Sequence, residues 1–221
     1  MAYRFDFASV AAHSDTLLVG AAGTLRLFAI CLVAGLSLGL VVGLARYARA
    51  RSLRWPARAF IEFFRNTPVL VQILWFYFAL PILVPFEISP LTAAALGISL
   101  NSAAYTGEIV RGGIQSIEPG QWEAARAVGM SHMQAMRRIV LPQALRRMIP
   151  ALTNRGIEIF KMTTLASVVA YVELLHQGKL IASLDFNPIE TYTVIAGLFL
   201  AFLFPLVQTT YALERRLARS D

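Results

Sequence analysis

Lys161, Thr163 and Thr164 sit in a mostly apolar run at 157–176. An ionisable side chain in such a run marks function or pairing by default. The Lys161 ammonium there can hold a solute's carboxylate. It can also pair with Glu158 one helical turn back, or snorkel to water. Only 11 uncharged residues follow Lys161 before Glu173. That predicts an interrupted helix whose free backbone groups line a polar cavity. Asn101, Ser102 and Tyr105 form a second polar group, with Asn101 and Tyr105 on one face at i, i+4. They line a pathway or bond between helices. Arg26, inside the first apolar stretch, is a third candidate ligand or a snorkelling cation. All of this is recognition chemistry. The bond-making constellations are missing: there is no G-x-x-x-x-G-K-[ST] phosphate loop, no H-E-x-x-H, no intramembrane aspartate pair and no serine–histidine pair in register. His13, His132 and His176 are far apart and predict no metal site. The single Cys31 excludes an intrachain disulfide and a thiolate cluster.

The elements holding these residues are set by composition. Of 221 residues, 57% are hydrophobic and 15% charged, and the mean hydropathy is +0.61. Soluble domains carry about a quarter charged residues, so these values point to a membrane protein, in one domain covering 1–221. Uncharged stretches of 19, 21, 20 and 23 residues separate Arg26 from Arg46, Arg65 from Glu87, Glu87 from Glu108, and Glu190 from Glu214. Each is long enough to cross a bilayer as a helix. Fifteen Lys and Arg residues lie in loop 46–58, segment 109–156 and the tail after Glu214, against Arg4 and Lys179 in the alternate segments. The positive-inside rule makes the first group cytoplasmic, so 157–176 must cross once. The expectation is an all-α membrane protein with spans near 17–45, 65–86, 88–110, 157–176 and 191–213. Its N-terminus is outside and its C-terminus cytoplasmic. The net charge of +7 is then orientation charge facing lipid headgroups, not a nucleic-acid footprint. No cleavable signal peptide is evident. Residues 3–12 read as an interfacial lead-in with Phe5 and Phe7 as anchors.

The cytoplasmic segment of about 111–155 is longer than an ordinary connector. Two short helices are expected in it, at 121–130 and 131–150. Gly129 ends the first in the left-handed conformation. Ser131 and Gln134 form a capping box for the second. Pro142 and Pro150 then interrupt and redirect the chain.

Glu123-Ala124-Ala125, three residues, Gly129, nine residues, then Ile139-Val140-Leu141-Pro142 resembles the EAA signature of ATP-binding-cassette importer permeases. Arg65-Asn66-Thr67-Pro68, SLNSAAYTGEIVRGGIQSI at 99–117 and LPQALRRMIPAL at 141–152 extend the likeness to the polar amino acid subfamily, which has a five-helix core. The resemblance implies that Glu123, Ala124, Ala125, Gly129, Met130, Ser131, Ile139, Leu141 and Pro142 form the coupling element of a permease. That element docks in a groove of an ATPase subunit, one of two that bind the ATP and magnesium; this chain binds no cofactor. It also implies a binding protein outside, a second permease subunit, and residence in a bacterial cytoplasmic membrane. Many relatives have an aspartate after the lysine where Met162 stands here, which favours a heterodimer sharing the binding chemistry. The strings FIEFFRNTPVLVQILWFYF and FKMTTLASVVAYVELLHQGKL look closest to glutamate and aspartate permeases. Glutamine, a basic amino acid or an opine is the alternative cargo. An ion-driven secondary transporter would lack the EAA string, and a membrane-embedded enzyme would need a constellation not found here.

Overall fold

The computed structural model describes residues 5–217, all helical or in short connections. Arg4 and Arg219 of the charge count, and residues 3–4 of the lead-in, lie outside the described residues. Helix α1 (Phe7–Ala12) is capped by the Asp6 carboxylate, which accepts from the Ala8 amide at 3.0 Å. Helix α2 (Ser14–Tyr47) has 34 residues, about 50 Å at 1.5 Å per residue. Helix α3 (Arg51–Asn66) ends where Pro68 forces Thr67 into an extended conformation. Helix α4 (Val69–Leu83) follows after this break. Helix α5 (Pro90–Gln115) and helix α6 (Pro119–Ala127) each begin with proline, whose missing N–H is no loss at a first helical position.

Helix α7 runs over 132–162 and passes into a 3-10 segment, Thr163–Val169, that stops at Ala170 with φ 57°. Helix α8 (Leu174–Asp185) is capped by the Glu173 carboxylate, which accepts from the Leu175 and His176 amides at 2.9 and 2.6 Å. Helix α9 (Pro188–Leu217) closes the chain. Helix α2 and the Pro188–Leu213 part of α9 are long and apolar enough to cross a membrane, and α3 with α4 makes a third if the bent pair is one span.

Three sequence expectations are corrected. Pro142 and Pro150 do not break α7. A π-turn, Met136–Val140, precedes Pro142, and its closing bond runs from the Leu141 amide to the Met136 carbonyl. This wider turn shifts the hydrogen-bond register just where proline lacks a donor. The same device, Trp75–Ala79, precedes Pro81 in α4. Loop 46–58 is largely the start of α3. Residues 157–176 are not one helix: α7 ends at Met162, and the 3-10 segment, a bend and the start of α8 follow. The interruption after Lys161 was expected; the helix after the bend was not.

The chain forms two compact units. The first comprises Met1–Val33, Pro68–Ser99 and Ile157–Gln208. Leu27, Cys31, Ile73, Ile98, Ile159 and Val169 form its core. The Tyr171 hydroxyl donates to the Gly23 carbonyl at 3.1 Å. The Cys31 side chain is wholly buried, its Sγ 4.0 Å from the Ala95 carbonyl.

The second unit comprises Ala34–Thr67, Leu100–Gly156 and Thr209–Asp221. Val110, Ile114, Ile117, Val140, Ala144 and Met148 form its core, with Trp122 and Leu152 against it. Gly39 and Gly43 bring α2 directly onto α5. A Cβ at Gly43 would lie 2.6 Å from Val110 Cβ and 2.8 Å from the Gly107 carbonyl. Such small-residue seams let helix backbones approach in lipid. Overpacking one costs about 1–3 kcal/mol. Gly43→Ala therefore lowers the thermal unfolding midpoint in detergent. Gly112→Ala, whose Cβ would meet nothing within 4 Å, leaves the midpoint unchanged or higher. Equal midpoints for Gly43→Ala and wild type would contradict this packing.

Candidate functional site: a capped turn and a buried arginine network

The α6–α7 turn is fixed at both ends by backbone chemistry. Gly129 has φ +77°, a region that glycine enters without a Cβ penalty. The Met130 amide donates to the Ala125 carbonyl and the Gly129 amide to the Arg126 carbonyl, each at 3.0 Å. This pair of bonds is a Schellman cap. On the other side the Gln134 amide donates to Ser131 Oγ at 3.3 Å, and the Ser131 amide donates to Gln134 Oε1 at 2.8 Å. Both expected caps are therefore present.

Ala125 is buried, while Glu123 and Ala124 face outward. Val128 is 71% and Met133 58% exposed. The turn thus presents apolar side chains and one carboxylate from a rigid frame. Trp122 stacks on His132 with ring centroids 5.0 Å apart. Desolvation and the nearby Arg49 charge hold the His132 imidazole below its ordinary value. Met130, Ile139 and Leu141 are half-buried, and Pro142 is exposed. The Arg147 guanidinium donates to the Ser116 carbonyl, tying α7 to the end of α5.

Replacing an N-cap serine costs about 1 kcal/mol, or about fivefold in the formed turn. Ser131→Ala should therefore speed hydrogen exchange at the Gln134 amide about fivefold. An unchanged rate would remove the cap from the account.

In the same unit, Asn101, Ser102 and Tyr105 do come together, around a residue that sequence reasoning missed. Arg155 was counted among the orientation charges, yet it is 3% exposed. Its Nη2 donates to Asn101 Oδ1 at 3.0 Å and to Ser102 Oγ at 3.1 Å. Asn101 Nδ2 in turn donates to the Phe64 carbonyl at 2.7 Å. The Arg155 and Arg65 guanidinium carbons lie 4.5 and 5.1 Å from the centre of the Tyr105 ring, in cation–π range. Glu108 binds Arg111 one helical turn on at 2.7 Å and approaches Arg65 at 3.7 Å. The signal for Arg155 was its register. It falls on the face of α7 that also carries the buried Met148 and Ile159.

Lys161, Thr163 and Thr164 belong to the first unit. Lys161 is exposed at the end of α7, as is Glu158 one turn earlier. The Thr163 hydroxyl is buried and donates to the Phe160 carbonyl at 2.7 Å; Thr164 donates to the Lys161 carbonyl at 2.9 Å. Both threonines thus stabilise the helix-to-3-10 transition. Arg26 is exposed on α2. Among the described residues no group of three or more His, Cys, Asp or Glu side chains could hold a metal.

Long apolar helices and a rigidly capped, outward-facing turn define a polytopic helical membrane protein built to engage a partner. The chain belongs to the family described as "Binding-protein-dependent transport system inner membrane component", which matches residues 35–219. It is 38% identical over 215 residues, 97% of this chain and 98% of the relative, to the glutamine transport system permease protein GlnP of Escherichia coli (strain K12). It is 41% identical over 178 residues, 80% and 78% of the two chains, to the probable amino-acid ABC transporter permease protein YckA of Bacillus subtilis (strain 168). A crystal structure of an amino acid ABC transporter with histidines superposes with a TM-score of 0.91, at 33% identity, covering 97% of this chain and 100% of that one. The protein is thus the permease subunit of a polar amino acid ABC transporter, a multi-pass component of the bacterial inner membrane. It works with ATPase subunits and a binding protein, and has no ATPase activity of its own.

Proposed function

We propose that the chain crosses the membrane five times, N-terminus outside, and forms half of the translocation pathway with a second permease of different sequence. ATP-driven closure of the ATPases is received at the α6–α7 turn. The observation that carries this is the double cap around Gly129, which holds Glu123, Ala124, Val128 and Met133 outward as a rigid docking surface. Ile139, Leu141 and Pro142 sit at the start of the long α7, which carries the motion onward. Lys161, Thr163, Thr164, Asn101, Ser102, Tyr105 and Arg26 are the pathway candidates on this reading.

The cargo is a polar amino acid, with glutamate and aspartate favoured by the strings around 60–78 and 160–180. Relatives named for glutamine, at 38% identity, for arginine, at 32%, and for glutamate/aspartate, at 33%, define the panel to test. The transporter is reconstituted with its ATPase, its companion permease and the cognate binding protein, and ATP hydrolysis is measured with each amino acid. Stimulation by glutamate and aspartate is the expected result. Stimulation by glutamine or arginine alone keeps the machine and replaces the cargo. An assembled complex that no loaded binding protein stimulates would overturn the coupling.

A further inference from the structure

A half-open cavity of about 470 Å³ lies between the end of α2, the start of α3 and the end of α5, lined by Arg46, Tyr47, Arg54, Trp55, Arg58 and Arg111. Its volume is in the range of small-molecule sites. Four guanidiniums share this space. Arg111 is engaged, by Glu108 at 2.7 Å and by Gln115 at 2.6 Å. Among the described residues, Arg46, Arg54 and Arg58 form no ion pair and no side-chain hydrogen bond. The nearby Glu108 carboxylate binds Arg111, approaches Arg65 and also feels the Arg46 charge, so one carboxylate serves all three. Like charges lining one cavity repel, and an anion seated among them relieves that repulsion. The planar guanidinium fork matches the oxygens of a phosphate.

The position of the cavity says what carries that phosphate. Arg46 directly follows the 19 uncharged residues of the first apolar stretch, so the cavity lies at headgroup depth. Trp55 on its rim is 63% exposed, and Trp and Tyr are enriched at membrane interfaces. Leu53 and Phe63, also exposed on α3, offer apolar surface of the kind acyl chains cover. A free phosphate would leave that surface wet.

We propose that this cavity is a binding site for the phosphodiester headgroup of one anionic phospholipid per chain, seated by Arg46, Arg54 and Arg58 beside Trp55. The headgroup neutralises the cluster and fixes α3 against the ends of α2 and α5. The leaflet it comes from, the cytoplasmic one, rests on the orientation proposed above; the binding itself does not.

The test is native mass spectrometry of the assembled transporter titrated with phosphatidylglycerol, phosphatidylcholine or inorganic phosphate. Wild type should retain one phosphatidylglycerol per copy of this chain and release phosphatidylcholine readily. Arg54→Gln/Arg58→Gln should weaken phosphatidylglycerol binding about thirtyfold. Arg146→Gln, an exposed arginine of α7 outside the cavity, should leave it unchanged. Three results would overturn the site: equal retention by Arg54→Gln/Arg58→Gln, an equal loss with Arg146→Gln, or displacement of the lipid by millimolar phosphate. If the double variant does not assemble, Arg58→Gln alone should lower retention severalfold, and wild-type retention there counts against the site. Lipid retention is read without ATP turnover, so a failure of the coupling reading leaves this test intact.

Discussion

Gly129→Val should abolish the stimulation of ATP hydrolysis by loaded binding protein while the chain still inserts and assembles. At φ +77° a side chain with a Cβ is strained by about 1–2 kcal/mol, and a β-branched one is a genuine outlier there. A Cβ at Gly129 would meet no atom within 4 Å, so the whole penalty falls on the backbone. The turn relaxes out of the left-handed region, the Schellman bonds from Gly129 and Met130 are lost, and Val128 and Met133 no longer share one surface. Gly129→Asn, which tolerates left-handed φ, should retain most of the stimulation. Valine and asparagine variants that both couple like wild type would sink the docking assignment, because they differ in backbone preference and little in size.

The second large effect is in the buried network. Asn101→Leu removes an acceptor from the Arg155 guanidinium in a place that water does not reach. Losing one charged hydrogen bond while Ser102 Oγ still accepts from the same nitrogen costs about 1.5–3 kcal/mol. Arg155→Met removes the charge along with its bonds and should cost less. The double variant should cost less than the sum of the two, because both single changes remove the same hydrogen bond. Thermal unfolding of the assembled transporter measures all three. Strictly additive losses would show that Asn101 and Arg155 act independently, contrary to their 3.0 Å contact.

What was legible in the sequence was whatever depends on a few adjacent residues. The Gly129 cap and the Ser131–Gln134 box are local, and each follows from backbone sterics or helical spacing. What was misread depends on partners distant in the chain. Pro142 was expected to interrupt and redirect the chain, but a π-turn one step earlier absorbs the missing donor, and the packing of Val140, Ala144 and Met148 keeps the helix going. Arg155 was counted as a surface charge because a tally of arginines ignores which face of a helix each occupies. The 157–176 stretch was counted as one transmembrane helix because a charge count records where a chain must end up and not the path it takes. Helix α8 was missed because its cap, Glu173, was read only as the end of an uncharged run and not as the acceptor that starts a new helix.

Cys31 is the sole thiol of the chain and is wholly enclosed by the first unit's core. The native protein is therefore already close to a cysteine-free background for spectroscopy. A single cysteine introduced at Val128 or Lys161 carries the only reachable thiol of this chain. A maleimide dye or nitroxide attached there reports from that place alone, with no native residue replaced to silence the rest. One side of the membrane, the seating of an ATPase against the turn, and the water accessibility of the lysine can then each be watched with one label in an otherwise unaltered chain.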